Sequence, residues 1–220
     1  MTKKIMGSAS ALALMAIIAG YSAQASNSEG DARSRSHSSE ATVRVGQSAP
    51  DFTLMSAAGE KHSLSDYEGR FVVLEWINFD CPFVKKHYRS GNIPSLQQKY
   101  RDSSVVWLSI CSSAPGKQGH LSGKDLSLRI ESEKWNGSAY LLDSEGTVGQ
   151  MYNAKTTPHM YVINPKGHLI YMGAIDDKPT TDLDDVEAAQ NYVVLALQAA
   201  MTGQSVATPA TKSYGCSVKY

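Results

Sequence analysis

The residues best equipped for chemistry in this chain are a cysteine, a glutamate six positions before it and another cysteine near the end. The stretch "EWINFDCPFVKKHY" (75–88) sets Cys81 directly before Pro82, at the close of an apolar run and the start of a helical pattern. A thiol at a helix N-terminus meets unpaired backbone N–H groups and the positive end of the helix dipole, and both favour the thiolate. Lys85 and Lys86 add positive charge within the next turn. A free thiol of pKa ~8.5 is only a few per cent ionised at pH 7, whereas one lowered to ~6 is about nine-tenths thiolate. The chemistry this supports is attack by sulfur on a disulfide or an oxidised thiol. The alternative is a buried, inert cysteine behind a helix cap.

Glu75 stands in the run "FVVLEWI" (71–77), sharing one face with Val73 and Ile77 while Val72, Leu74 and Trp76 share the other. A carboxylate in such a strand is costly unless it is paired or protonated, so its pKa is expected to rise. Such a group suits proton transfer during exchange. It equally suits a structural pair with a lysine near the sheet end.

Redox cysteines in this setting usually have a partner three residues on, and here that place is held by Val84. Two other cysteines remain. Cys111 ends the apolar run "VVWLSI" and is expected to be buried. Cys216 lies in the tail "TKSYGCSVKY", where Tyr214, Cys216, Val218 and Tyr220 alternate with mostly polar residues, the pattern of an extended segment laid against a surface. About 15 residues separate it from Met201, enough to span ~50 Å when extended, against a radius of gyration of ~15 Å for a domain of this size. Cys216 can therefore reach Cys81, with an external thiol or a disordered tail as the other possibilities.

These residues need elements to position them. "FVVLEWI" and "VVWLSI" read as strands covered on both faces, with helical character between them that Ser90-Gly91-Asn92 and Pro94 should kink or split. Strand, helix and strand make a βαβ unit with a parallel sheet. "SAYLLD" (138–143) reads as a further strand and "GTVGQMYN" as a short helix. "HMYVIN" and "HLIYMGAI" form an antiparallel hairpin turning at Asn164, and "DLDDVEAAQNYVVLALQAAMTG" reads as one closing helix. A small "DFTL…KHSL" hairpin precedes them all. His159, at a strand start, reads as a surface residue.

The ends supply context. Lys3 and Lys4, the apolar "SASALALMAIIAG" and the small-x-small Ala23-Gln24-Ala25 make residues 1–25 a secretory signal peptide. Export, to a periplasm or the exterior, would let disulfides persist. Residues 26–42 read as a flexible leader, 43–203 as one domain and 204–220 as the cysteine-bearing tail. The chain carries 21 Lys+Arg and 21 Asp+Glu, and loss of Lys3 and Lys4 leaves a net charge near −2, no footprint for nucleic acid or anionic lipid. The six histidines show no zinc-type spacing, so neither metal nor cofactor is expected.

This order of elements, with a cysteine at the first strand-to-helix junction and Thr157-Pro158 before the hairpin, resembles the thioredoxin fold. The fold class expected is α/β: three layers, a central mixed sheet flanked by helices, an N-terminal β-hairpin and an extended C-terminal tail. "VGQSAPDFTL" and "GAIDD" resemble more closely the redoxin branch, the alkyl hydroperoxide reductase and thiol-specific antioxidant relatives, in an exported peroxiredoxin-like form covering about residues 45 to 201. The resemblance implies that Cys81 is the nucleophile and that Glu75 handles the proton. It also implies that Pro82, Thr157 and Pro158 meet the substrate, the last through a cis bond that turns backbone groups towards an extended chain. The peroxidase pattern P-x-x-x-T-x-x-C is absent, since Leu74 and Asn78 replace its proline and threonine. The function implied is thiol-disulfide exchange with a protein or small-molecule disulfide and an external thiol reductant, Cys216 being a possible resolving thiol. A non-catalytic partner-binding domain with structural cysteines, or a copper chaperone of this fold, are the other readings.

Overall fold

The computed structural model describes residues 43–220; the signal peptide read at 1–25 and the leader at 26–42 lie outside the described residues. The elements in chain order are β1 (Thr53–Ser56), β2 (Lys61–Ser63), β3 (Val72–Trp76), α1 (Pro82–Arg89), α2 (Asn92–Asp102), β4 (Val106–Cys111), α3 (Gly123–Ser132) and β5 (Ala139–Leu142). They continue with α4 (Thr147–Met151), β6 (Thr156–Thr157), β7 (His159–Ile163), β8 (Leu169–Gly173), α5 (Asp185–Ala188), α6 (Tyr192–Met201) and β9 (Cys216–Ser217). Seven strands make one mixed sheet in the order β2-β1-β5-β4-β3-β7-β8, and β6 pairs with β9 apart from it. The three central strands β5, β4 and β3 are parallel, while β7, β8 and β1 run antiparallel to their neighbours.

Strand alternation divides the core in two. Val73 and Ile77 pack with Val84 and Tyr88 of α1, Ile93 of α2, Leu126 of α3 and Val193 and Leu197 of α6. Val72, Leu74 and Trp76 pack on the opposite side with Phe52, Leu64 and, from α4, Val148. Both faces of β3 are covered, as its unbroken apolar run requires.

Two readings of the sequence need correction. The closing helix is two helices: Asn191 caps α6 by accepting from the N–H of Val194 at 3.0 Å, and the N–H of Tyr192 turns to the carbonyl of Ile175 at 2.9 Å. Long-range pairing thus breaks a stretch whose apolar spacing is continuous. His159 is buried rather than on the surface, because β7 lies inside the sheet. Helix α3, between β4 and β5, lies in a stretch to which the sequence pattern assigns no element. The split between α1 and α2 falls at Gly91, whose φ of 75° suits a residue without a Cβ.

Candidate active site at Cys81 and the C-terminal tail

Cys81 is the N-cap of α1, Pro82 the first helical residue. Proline fits there because the first N–H of a helix has no intrahelical partner to lose. The Cys81 side chain is fully buried, and its Sγ–H donates to the Thr157 carbonyl at 3.0 Å. The Thr157-Pro158 peptide bond is cis. Val84, where a second cysteine would have stood, is itself buried in the core.

The tail brings the other sulfur. Beyond α6 it follows the open edge of β8, where Met172 donates to the Pro209 carbonyl and Thr211 to the Met172 carbonyl, each at 3.1 Å. It then crosses to β6, where β9 pairs antiparallel with Thr156 opposite Ser217 and Thr157 opposite Cys216. Cys216 is only half-buried. This register brings Cys216 alongside Cys81, close enough for each thiol to shift the other's ionisation. Cys111 is buried elsewhere on its strand, its Sγ–H reaching the Gly119 carbonyl at 3.5 Å.

The two thiols titrate unequally. Burial pushes Cys81 up, but the Cys216 thiol, the backbone N–H groups of Val84 and Cys216 and the Thr157 side chain favour its anion and leave it below the ordinary value. Burial and the neighbouring Cys81 push Cys216 up to about 11. Cys81 therefore ionises before Cys216. The lysines act otherwise than their sequence positions suggest. Lys85 is half-exposed, whereas Lys86 is buried, its ammonium donating to the Lys178 carbonyl at 2.7 Å and lying 5.6 Å from the centre of the Tyr214 ring.

Lys86 thereby belongs to a latch that holds the tail. The Tyr214 hydroxyl donates to Asp176 Oδ1 and lies 3.2 Å from His87 Nε2. His87 Nδ1 is held by Asn92 at 2.9 Å, and burial together with Lys86 lowers the imidazole to about 3, so it is neutral near pH 7. At the far end, Tyr220 donates to the Ala154 carbonyl at 2.8 Å, and its ring lies where a Cβ on Gly149 would meet it at 2.6 Å. The aromatic alternation hinted at docking; the roles of His87 and Asp176 had no local signal.

Glu75 lies on the face of β3 that α1 and α2 cover, fully buried. Its Oε2 accepts from Trp107 Nε1 and Ser109 Oγ at 2.8 Å and from Gln97 Nε2 at 3.2 Å, and its Oε1 from the Tyr88 hydroxyl at 3.1 Å. Burial raises its pKa, and these four donors oppose the rise. Among the described residues no lysine pairs with it, and none of these hydrogen bonds runs to Cys81 or Cys216.

A cysteine at this helix cap, facing a Thr-Pro loop where the interior strands β3 and β7 of a mixed sheet end and begin, defines a thioredoxin-like protein. Residues 45–172 match the AhpC/TSA family, and the chain belongs to it. The chain is 25% identical over 142 residues to the thioredoxin-like protein YneN of Bacillus subtilis, covering 63% of this chain and 78% of that one. Its fold is similar to an uncharacterised conserved protein from Geobacillus kaustophilus (24% identity, 82% and 94% of the two chains, TM-score 0.69). A hypothetical protein, SMc02350, from Sinorhizobium meliloti is equally similar (24% identity, 81% and 96%, TM-score 0.68). Among the described residues no helix is long and apolar enough to cross a membrane.

Proposed function

We propose that the chain is an exported thiol-disulfide oxidoreductase in which Cys81 is the nucleophile and Cys216 the resolving thiol. One observation carries this reading: β9 sets Cys216 opposite Thr157, whose carbonyl accepts the Cys81 thiol. In the first step the Cys81 thiolate attacks one sulfur of a substrate disulfide, a Cys81–substrate bond forms, and the other substrate sulfur leaves as thiolate and takes a proton. In the second, Cys216 gives up its proton and attacks Cys81 Sγ. The remaining substrate sulfur leaves, and the protein keeps the Cys81–Cys216 disulfide. The substrate gains two electrons, which an external thiol reductant later restores to the protein.

Family membership and the resemblance to a thioredoxin-like relative support a redox role. Missing peroxidase residues at 74 and 78 favour disulfides over peroxides as substrates. Peptide mapping of the oxidised, non-reduced protein tests the reading. The expected product is a Cys81–Cys216 bridge that a mild reductant opens; Cys216→Ser should then leave Cys81 prone to sulfinic acid formation. A Cys81–Cys111 bridge, or a free Cys216 beside a protected Cys81, rules the assignment out. A bridge that resists reduction in the folded protein points instead to a structural staple.

A further inference from the structure

His159, the first residue of β7, is buried, and the two nitrogens of its ring have different surroundings. Nδ1 accepts from the backbone N–H of Lys155 at 3.3 Å and lies 3.1 Å from the Tyr161 hydroxyl, which donates to the Tyr152 carbonyl at 2.9 Å. Since Nδ1 is an acceptor, the neutral ring carries its proton on Nε2. Burial and the neighbouring Lys155 ammonium lower the imidazole to about 4, so it is neutral near pH 7. Among the described residues Nε2–H has no acceptor, yet it is not one of the sealed polar atoms left without a partner, which are His62 Nε2, the Tyr100 hydroxyl, Thr157 Oγ1 and Asp176 Oδ2. It therefore reaches accessible space, and the space that His159 borders is a cavity of about 350 Å³.

The walls of this cavity suit an anion. Lys155 and Lys212 line it, both exposed and neither in a salt bridge among the described residues, and no carboxylate does. Ser213 adds a hydroxyl, and Val43 and Met172 add apolar surface. A second cavity, of about 390 Å³, shares the Thr211–Ser213 segment but is lined by Asp176 and Asp177, which would repel the same guest. The first has the size of a small-molecule site, a class that spans ~300–1,000 Å³, and holds more than a bare inorganic ion.

We propose that this cavity binds a small organic dianion whose oxyanion groups, carboxylate or phosphate, take the His159 Nε2–H and the Lys155 and Lys212 ammoniums. Two ammoniums balance two negative charges, and hydrogen bonds of this kind are the strong ones. An imidazole N–H fixed by Lys155 and Tyr161 on the opposite side of the ring is a preorganised donor, which lowers the ordering cost of binding. The guest joins two parts of the chain, for Lys155 precedes β6 and His159 begins β7, whereas Lys212 and Ser213 belong to the tail ahead of β9. Occupancy therefore fastens the tail to the domain, and it does so whether or not Cys81 and Cys216 exchange disulfides.

The test uses the reduced full chain, with succinate and glycerol phosphate as probes and sodium chloride at matched ionic strength as the control. Titration calorimetry and NMR should show saturable binding that moves the signals of His159 Nε2–H and of the Thr156 and Ser213 backbone N–H groups. The N–H of Thr211, which donates to the Met172 carbonyl, should exchange more slowly in the complex. Lys155→Glu and Lys212→Glu, at exposed positions on which the fold does not depend, should each weaken binding by about tenfold or more. Lys166→Glu, at the turn between β7 and β8, should leave it unchanged. Saturation by succinate alone identifies the group as carboxylate, and saturation by glycerol phosphate alone identifies it as phosphate. A response that chloride reproduces, equal losses in all three variants, or no saturation in the millimolar range overturns the proposal. None of these outcomes bears on the oxidoreductase reading, which peptide mapping decides separately.

Discussion

Gly215 passes so close to Thr157 that a Cβ on it would stand 2.1 Å from the Thr157 carbonyl oxygen, the oxygen that accepts the Cys81 thiol. Its φ of 129° is also one that residues with a side chain rarely adopt. The single residue before Cys216 is therefore what lets the tail lie against the active loop.

Gly215→Ala should lift the tail without unfolding the domain, since the cores on the two faces of the sheet do not depend on residue 215. The iodoacetamide reaction of Cys81 should speed up by about tenfold or more as local opening becomes easier. Unchanged Cys81 reactivity would mean that the tail is no barrier.

Tyr214→Phe removes the hydroxyl that Asp176 and His87 share, leaving Asp176 Oδ1 without that donor in a buried site. The cost should be about 1–3 kcal/mol, confined to tail docking. Hydrogen exchange checks it: the N–H of Val218, which donates to the Lys155 carbonyl, should exchange faster while those of β3 and β4 keep their protection. Equal loss everywhere would make the latch part of the core.

The thiol pair predicts a pH dependence for the reduced protein. Cys81, lowered on folding, adds stability as pH rises through its folded value towards the unfolded ~8.5, because the unfolded state binds more protons there. Cys216, raised to about 11, contributes stability that is full below ~8.5 and is lost as pH rises through 11. Stability relative to Cys81→Ala/Cys216→Ala should therefore peak near the ordinary thiol pKa. Denaturant midpoints from pH 6 to 11 measure it, and a monotonic difference would contradict the unequal titration. In the same series, Cys216→Ala should raise the pH midpoint of Cys81 alkylation, with Cys81→Ser as the control.

Glu75→Gln should leave the domain folded and slow disulfide exchange if the acid supplies protons. An amide oxygen can accept from Trp107, Ser109 and Gln97, and its NH₂ can donate to Tyr88. Because Glu75 is raised on folding, its contribution to stability is present below its unfolded value of about 4.5 and is lost as pH rises through the folded value. The stability of wild type relative to the Glu75→Gln variant should fall in that direction. Exchange rates unchanged from pH 5 to 9 would leave Glu75 a purely structural acceptor.

Much of this protein is decided within short stretches of chain. Pro82 after Cys81, the breaker at Gly91 and the alternation of Val72 to Trp76 rest on backbone sterics and side-chain period, and they suffice to place a thiol at a helix cap and an acid inside a strand. The family patterns in "VGQSAPDFTL" and Thr157-Pro158 are likewise read residue by residue. Other features depend on contacts between distant segments. Asn191 and Ile175 divide a helix that its own spacing would continue, and the sheet buries His159 in a strand whose start reads as surface. Lys86 turns from the thiol to a carbonyl 92 residues away, and Tyr214 meets Asp176 and His87 from two distant segments of the chain. The reach of the tail follows from its length, because chain length bounds distance. Its register, with Cys216 opposite Thr157, does not, because one residue of slip would turn the sulfur away and only the anchors on both sides choose between the alternatives.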